Sequence, residues 1–102
     1  LEPLVHTSIN AALGLDVEKA RASSPVRWAA PARRAFDCWV GGEESAEYHR
    51  QSRDLVRFWG EAGVDTGSEV VPGADHFTVV GALADPASRL TRRLATLARR
   101  AA

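Results

Sequence analysis

Two short apolar runs alternate with two longer amphipathic runs along the chain. The first apolar run, residues 35–40 (Ala-Phe-Asp-Cys-Trp-Val), does not alternate strictly with polar residues and ends at a Gly-Gly pair. Such a run predicts a strand that is covered on both faces, as in a parallel sheet. The second run, residues 68–71, precedes Pro72-Gly73 and predicts another short strand. We therefore expect two short strands, each followed by a turn.

Apolar side chains recur at helical spacing after each predicted strand. Ser45 is placed to cap a helix and Gly63 is placed to end it. The apolar stripe of this helix consists of Tyr48, Leu55, Phe58, Trp59 and Ala62. A final helix is predicted from about Pro86 to Ala101, with leucines on one face and most arginines away from it.

The first thirty residues carry weaker signals. Residues 1–10 predict a connection without regular structure. A short helix is predicted from Val17 to Ala22, with Asp16 as its cap. Pro25 ends it, because the residue before a proline is pushed out of the α region.

The order strand–helix–strand–helix predicts an α/β fold with a right-handed parallel unit. Two parallel strands are few for a stable isolated sheet, which generally has three or more strands and both faces covered. We therefore expect residues 1–102 to form one end of a larger α/β domain.

Composition and charge narrow the classes of function. The 102 residues are 45% apolar and 25% charged, which is ordinary for a soluble globular protein. The formal net charge is zero, so no general attraction to nucleic acid or to an anionic membrane is expected. No apolar stretch approaches the roughly 20 residues that span a bilayer, and no signal peptide is recognised. The single cysteine, Cys38, fits a reducing compartment. A cytoplasmic location is expected.

A carboxylate and a histidine follow the two predicted strands. Glu44 comes just after the first strand, and His76 just after the second. Parallel strands place ligand-binding loops at their carboxyl ends, and α/β-hydrolases carry their triad in the order Ser, acid, His. Taken alone, a loop histidine is more often an ordinary surface group, and a carboxylate beside a helix start is favoured by the helix dipole. Glu43 is the competing candidate for the acid.

Several stretches carry a resemblance to a known family. They are residues 6–10, 12–16, 24–25, 41–52 (Gly-Gly-Glu-Glu-Ser-Ala-Glu-Tyr-His-Arg-Gln-Ser) and 72–77 (Pro-Gly-Ala-Asp-His-Phe). Through them the chain resembles the C-terminal third of α/β-hydrolases of the kynurenine formamidase (arylformamidase) and esterase group. The resemblance implies the C-terminal strand–helix–strand–helix portion of the hydrolase parallel sheet. Residues 1–30 would then be a cap-like connection and a short helix, and residues 31–102 the last two strands and two helices.

The resemblance also implies a function for the two candidate residues. Glu44 aligns with the triad acid, where many relatives have Asp, and His76 aligns with the triad base of a serine hydrolase. The implied substrates are N-formyl amides such as N-formylkynurenine, an intermediate of tryptophan catabolism, or small esters. No G-x-S-x-G occurs in the chain, so the nucleophile and the oxyanion-hole motif are expected upstream of Leu1. We expect the chain alone to be inactive until a missing N-terminal segment or a partner chain completes it.

The other candidate groups are expected to have ordinary roles. Asp75 shapes a turn, Cys38 is a small buried apolar residue, and Trp28 either lines an acyl pocket or fills a loop. His6 and His49 are not spaced as metal ligands, so no metal or cofactor is expected. A second hypothesis stays open: a non-catalytic hydrolase-like module that binds a partner, or another copy of itself, through an open sheet edge.

Overall fold

The computed structural model describes residues 1–101 and contains a two-stranded parallel sheet with a helix against each face. The α helices and strands, in chain order, are α1 (Asn10–Leu13), α2 (Val17–Ala22), β1 (Ala35–Gly41), α3 (Ala46–Glu61), β2 (Asp65–Val71) and α4 (Arg89–Ala101). Short 3₁₀ helices span Glu2–His6, Pro25–Arg27 and Thr78–Ala84. The predicted α/β class and the parallel pairing of the strands are confirmed.

The register of the sheet aligns the ends of the two strands. Ala35 pairs with Asp65 at one end, and Gly41 pairs with Val71 at the other. Because the strands run parallel and end together, the turns that follow them leave the sheet at the same edge. Any side chains on these turns are therefore brought close to each other by the backbone alone.

Helix α3 begins where its sequence predicts, but its predicted apolar stripe is only partly covered. Leu55 and Trp59 are half-buried, whereas Tyr48, Phe58 and Ala62 are exposed. The Ser45 side chain accepts a hydrogen bond from the Tyr48 N–H, which satisfies one of the free donors at the helix start. The chain leaves the helix through Gly63, whose φ of 91° suits a residue without Cβ. The rings of Trp59 and Phe36 meet in a T-shaped contact, with 5.0 Å between their centroids.

Helix α4 lies against the other face of the sheet and is attached there by ion pairs. Arg93 donates two hydrogen bonds, of 2.7 and 2.8 Å, to the carboxylate of Asp37. Successive side chains of a strand point to opposite faces, so Asp37 faces α4 whereas its neighbour Phe36 faces α3. Arg89 pairs with Glu69 at 2.9 Å, and Arg100 pairs with Asp65.

Helices α2 and α3 and strand β1 match their predicted positions, but the segment 1–10 does not. A 3₁₀ helix occupies Glu2–His6, and α1 begins at Asn10. Pro3 suits the first turn of a helix, where its missing N–H has no partner to lose. The Asn10 side chain bonds the backbone of Val5 and Leu15, which folds this segment into a compact connection.

Two predicted boundaries need correction, and one 3₁₀ helix has to be added. Strand β2 begins at Asp65 rather than Ser68, because pairing with β1 continues through its polar residues. The last helix begins at Arg89 rather than Pro86, because Asp85 holds a turn by accepting the N–H of Ala87, and Ser88 accepts the N–H of Thr91. The 3₁₀ helix Thr78–Ala84 was not predicted from the sequence.

The described chain leaves an unusually large surface uncovered. Its accessible surface is 7107 Å², whereas a compact monomer of this mass exposes about 5,600 Å². Its radius of gyration is 15.2 Å, compared with about 13 Å for a compact domain of this length. The buried apolar residues are few and small: Ala20, Val40, Val64, Ala74 and Val79. No helix within residues 1–101 is both long and apolar enough to cross a bilayer.

Candidate functional site

The two turns at the carboxyl edge of the sheet are bonded to each other. Gly42 N–H donates to the carbonyl of Val71 at 2.7 Å, and Glu43 N–H donates to the carbonyl of Ala74 at 2.9 Å. Gly41 allows this close approach, since a Cβ at that position would lie 2.3 Å from the Ala74 carbonyl oxygen. The turn after β1 and the turn after β2 therefore form one bonded unit.

The Glu44 carboxylate is enclosed within this unit, and each of its oxygens has a partner. Its side chain is only 4% exposed. Oε2 accepts the Gly41 N–H at 2.6 Å, and Oε1 lies 2.7 Å from Nδ1 of His76. The Gly41 N–H, followed by the His76 ring, lowers the pKa of Glu44 below its ordinary value. The carboxylate is therefore held in its ionised form.

His76 presents its other nitrogen to the outside. An ionised carboxylate can only accept, so Nδ1 carries the proton in this pair and the neutral ring keeps a free electron pair on Nε2. The side chain is 59% exposed, and no other side chain among residues 1–100 hydrogen-bonds to the ring. The geometry is that of a histidine base oriented by a carboxylate.

Two aromatic rings surround the imidazole. Tyr48 stacks on it, with 4.9 Å between centroids and 23° between the planes. Phe77 meets it edge-on at 5.8 Å and is itself 83% exposed. The imidazole therefore stacks on Tyr48 and makes a T-shaped contact with Phe77.

Asp75 shapes the turn that carries His76, as its sequence position indicates. Its carboxylate accepts the N–H groups of Thr78 at 2.7 Å and Phe77 at 2.9 Å. These bonds, with that from Thr78 the larger, lower the pKa of Asp75. Asp75 thus starts the 3₁₀ helix Thr78–Ala84 while His76 projects from the same turn.

The structure separates the remaining candidate residues from this pair. Of the two adjacent carboxylates, Glu44 rather than Glu43 reaches the histidine. Cys38 is half-buried in β1, and burial followed by the charge of Asp37 raises the pKa of its thiol. The Trp28 indole donates to the carbonyl of Ala22 and is about half exposed.

His6 lies on the 3₁₀ helix Glu2–His6 and His49 on α3, and neither hydrogen-bonds to Glu44 or His76. In the part of the chain that the structure describes, no three His, Cys, Asp or Glu side chains are close enough to hold a metal ion.

Tyr48 is the residue of this site that the sequence pattern did not reveal. At helical spacing it is predicted only as one member of an apolar stripe. In the structure it contacts His76 and also lines a cleft of about 480 Å³ between α3 and the N-terminal segment. Its position in the first turn of α3, close to Glu44 in the sequence, is the available signal.

No protein-family model matches the chain, and no solved structure matches it significantly. What the chain can do is therefore inferred from the Glu44–His76 pair and from the turns that hold it.

Proposed function

We propose that the chain is the C-terminal portion of an α/β-hydrolase, in which Glu44 is the triad acid and His76 the triad base. The observation that supports this most strongly is the 2.7 Å contact between Glu44 Oε1 and His76 Nδ1 at the shared edge of two parallel strands. The chain order, a strand with its acid and then a strand with its histidine, is the order of the hydrolase triad.

In the proposed reaction, each member of the pair has a defined task. Nε2 of His76 takes the proton from a serine hydroxyl as the serine oxygen attacks an acyl carbonyl, and later returns a proton to the leaving amine or alcohol. Glu44 keeps the Nδ1–H tautomer in place and stabilises the imidazolium that forms. The ionised state of Glu44, enforced by the Gly41 N–H, supports this role.

The serine and the oxyanion-hole donors would come from outside these 102 residues. No G-x-S-x-G occurs in the chain. A further segment of the same polypeptide, or a partner chain, would place its hydroxyl beside Nε2 of His76. The exposure of the His76 ring and the large uncovered surface of the chain both support such an addition.

The proposed substrate is a small acyl compound, either an N-formyl amide such as N-formylkynurenine or a small ester. The family resemblance is the reason for naming these two classes. Phe77, which contacts His76 and is mostly exposed, would offer aromatic surface to such a substrate. A cytoplasmic role in tryptophan catabolism would follow from the formamide substrate.

A non-catalytic role is the second candidate, and the uncovered surface favours it as well. A hydrolase-like module that is covered by a partner would have the same open sheet edge and the same excess of exposed area. The Glu44–His76 pair would then be a structural contact between two turns. In the hydrolase a serine hydroxyl would lie beside Nε2 of His76, whereas in the non-catalytic module no serine would be there.

The test is fluorophosphonate labelling of the protein as the cell makes it, recovered with an antibody against this chain. We expect an adduct on a serine outside residues 1–102, either in the same polypeptide or in a tightly bound partner. Loss of His76 should lower turnover of N-formylkynurenine or p-nitrophenyl acetate by about 10⁴-fold or more.

The recombinant 102-residue chain is the matched control for this labelling, and it should not react. An adduct on a side chain within residues 1–102 would contradict the proposal. A folded cellular protein that takes no label at all would favour the non-catalytic module.

A further inference from the structure

We infer that Tyr48 is a positioning residue for His76, holding the imidazole in the plane in which Nδ1 meets Glu44 and Nε2 faces outward. This inference rests on the proposed function of the Glu44–His76 pair. Tyr48 would act through the histidine, on which its ring stacks.

The hydrogen bond to Glu44 is not sufficient to fix the histidine ring. His76 stands on a turn and is 59% exposed, so surrounding protein restrains it little. One bond to Nδ1 sets the direction of that nitrogen but lets the ring plane rotate about the bond. Ordering an exposed side chain also costs rotamer entropy, which a second contact must offset.

Tyr48 supplies the missing constraint on the ring plane. The two rings are nearly parallel, with 23° between their planes, and their centroids are 4.9 Å apart, within the range of offset stacking. Phe77 touches the imidazole with an interplanar angle of 78° and is mostly exposed, so it covers no comparable face. The bond to Glu44 and the stack on Tyr48 together define one ring orientation.

Both constraints come from the same short segment of the chain. Glu44 and Tyr48 lie on either side of Ser45, the N-cap of α3, whose side chain accepts the Tyr48 N–H at 3.4 Å. The start of α3 therefore holds the carboxylate and the stacking ring close to each other. A built-in spacing of this kind is what an orienting pair needs.

The stack would also respond to the charge that His76 gains during the proposed reaction. A cation within about 6 Å of a tyrosine centroid is attracted by the ring face. The imidazolium over Tyr48 meets this condition at 4.9 Å. This attraction needs the ring and not the hydroxyl, so phenylalanine should replace tyrosine whereas leucine should not.

The test is NMR of the ring nitrogens and the Nδ1-bound proton of His76 in the complete protein as the cell makes it. The variants are Tyr48→Leu, Tyr48→Phe and Glu44→Gln, and the control is Phe58→Leu, which removes another half-exposed aromatic ring of α3. The backbone amide spectrum of each variant reports whether the fold is retained. We expect Tyr48→Leu to speed exchange of the Nδ1 proton with water about fivefold, the change that the loss of one stacking contact implies.

We expect Tyr48→Phe to match the unaltered chain, and Phe58→Leu to leave the His76 signals unchanged. If Tyr48→Leu folds and its Nδ1 proton exchanges at the unaltered rate, the inference is overturned. The Glu44–His76 pair is still supported in that case if Glu44→Gln abolishes the slowly exchanging Nδ1 proton. If the Nδ1 proton of Tyr48→Phe exchanges as fast as that of Tyr48→Leu, the inference is also overturned, since the tyrosine hydroxyl would then be the group that holds the ring. A His76 signal indifferent to Glu44→Gln would overturn the proposed function, and the inference with it.

Discussion

At the scale of single residues, the ionisation state of the Glu44 carboxylate decides whether Glu44 can orient His76 as a base. Its pKa lies below the ordinary value of 4.5 because the Gly41 N–H, and then the His76 ring, bond the ionised form. A carboxyl whose pKa is lowered by folding stabilises the fold above its unfolded pKa, and this contribution disappears as pH falls through the folded pKa.

Glu44→Gln should therefore reduce the free energy of unfolding at neutral pH, because it removes the charge but keeps an oxygen that can accept the Gly41 N–H. The difference from the unaltered chain should shrink as pH falls below 4.5 and vanish once both chains are uncharged at this position. Urea unfolding at a series of pH values measures it. A difference that stays constant down to strongly acidic pH would show that the charge of Glu44 is not what stabilises the turn.

Gly41 is the second residue on which the geometry of the site depends, because the two turns can approach each other only if this position has no Cβ. Gly41→Ala would place a Cβ 2.3 Å from the backbone oxygen of Ala74, so the two turns must separate. We expect a loss of about 2 kcal/mol or more in stability, together with weakening of the Glu44–His76 contact. Chemical denaturation and the His76 NMR signals measure the two effects.

Gly81→Ala is the control for this change, because nothing lies within 4 Å of a Cβ built there. Equal effects of the two substitutions would contradict the close approach at Gly41.

At the scale of elements, α4 is held on the sheet differently from α3. Helix α3 packs through apolar groups such as Trp59 against Phe36, whereas α4 is joined to its face by arginine–carboxylate pairs. Among these pairs, Asp37–Arg93 has the most enclosed carboxylate, with the Asp37 side chain 8% exposed. The bonds from Arg93 are the main reason that the pKa of Asp37 is lowered.

Asp37→Ala should therefore loosen α4 and lower the free energy of unfolding by about 2 kcal/mol, as expected for the loss of charged hydrogen bonds at an enclosed site. Arg89→Ala should cost less, since the Arg89 side chain is 79% exposed and water replaces its partner easily. Thermal melts and amide exchange of α4 measure both variants. A larger cost for Arg89→Ala would show that the outer pair, and not Asp37, anchors the helix.

At the scale of the whole molecule, the surface of the chain exceeds that of a compact monomer by about 1,500 Å². One partner in a typical stable complex buries about 800 Å². Exposed apolar side chains contribute to this surface, among them Phe77, Ile9, Val80, Leu94 and Trp28. Such a surface is normally covered by other protein.

We expect the isolated chain to be marginally stable and to self-associate, since each contact between copies covers apolar area. Sedimentation velocity should show association that increases with concentration, and the midpoint of thermal unfolding should rise with it. A chain that stays monomeric and melts sharply at low concentration would contradict this expectation.

Much of the local structure was predictable from the sequence. Asp16 and Ser45 cap α2 and α3 as their side-chain chemistry indicates. The late start of α4 was not predictable, because the turn at Asp85 competes with helix formation through its own side-chain bonds. The early start of β2 was also missed, since Asp65 enters the sheet only because β1 lies beside it.

The sequence by itself determined the two strands and the helices α2, α3 and α4, the parallel order of the strands, and the placement of an acid and a histidine after successive strands. These features depend on spacing and on interactions between residues a few positions apart. Only the tertiary structure decided that Glu44 and not Glu43 meets His76, that Tyr48 stacks on the ring, and that Gly41 faces the Ala74 carbonyl. Those contacts join residues far apart in the chain, so they exist only after the strand register has brought the two turns together.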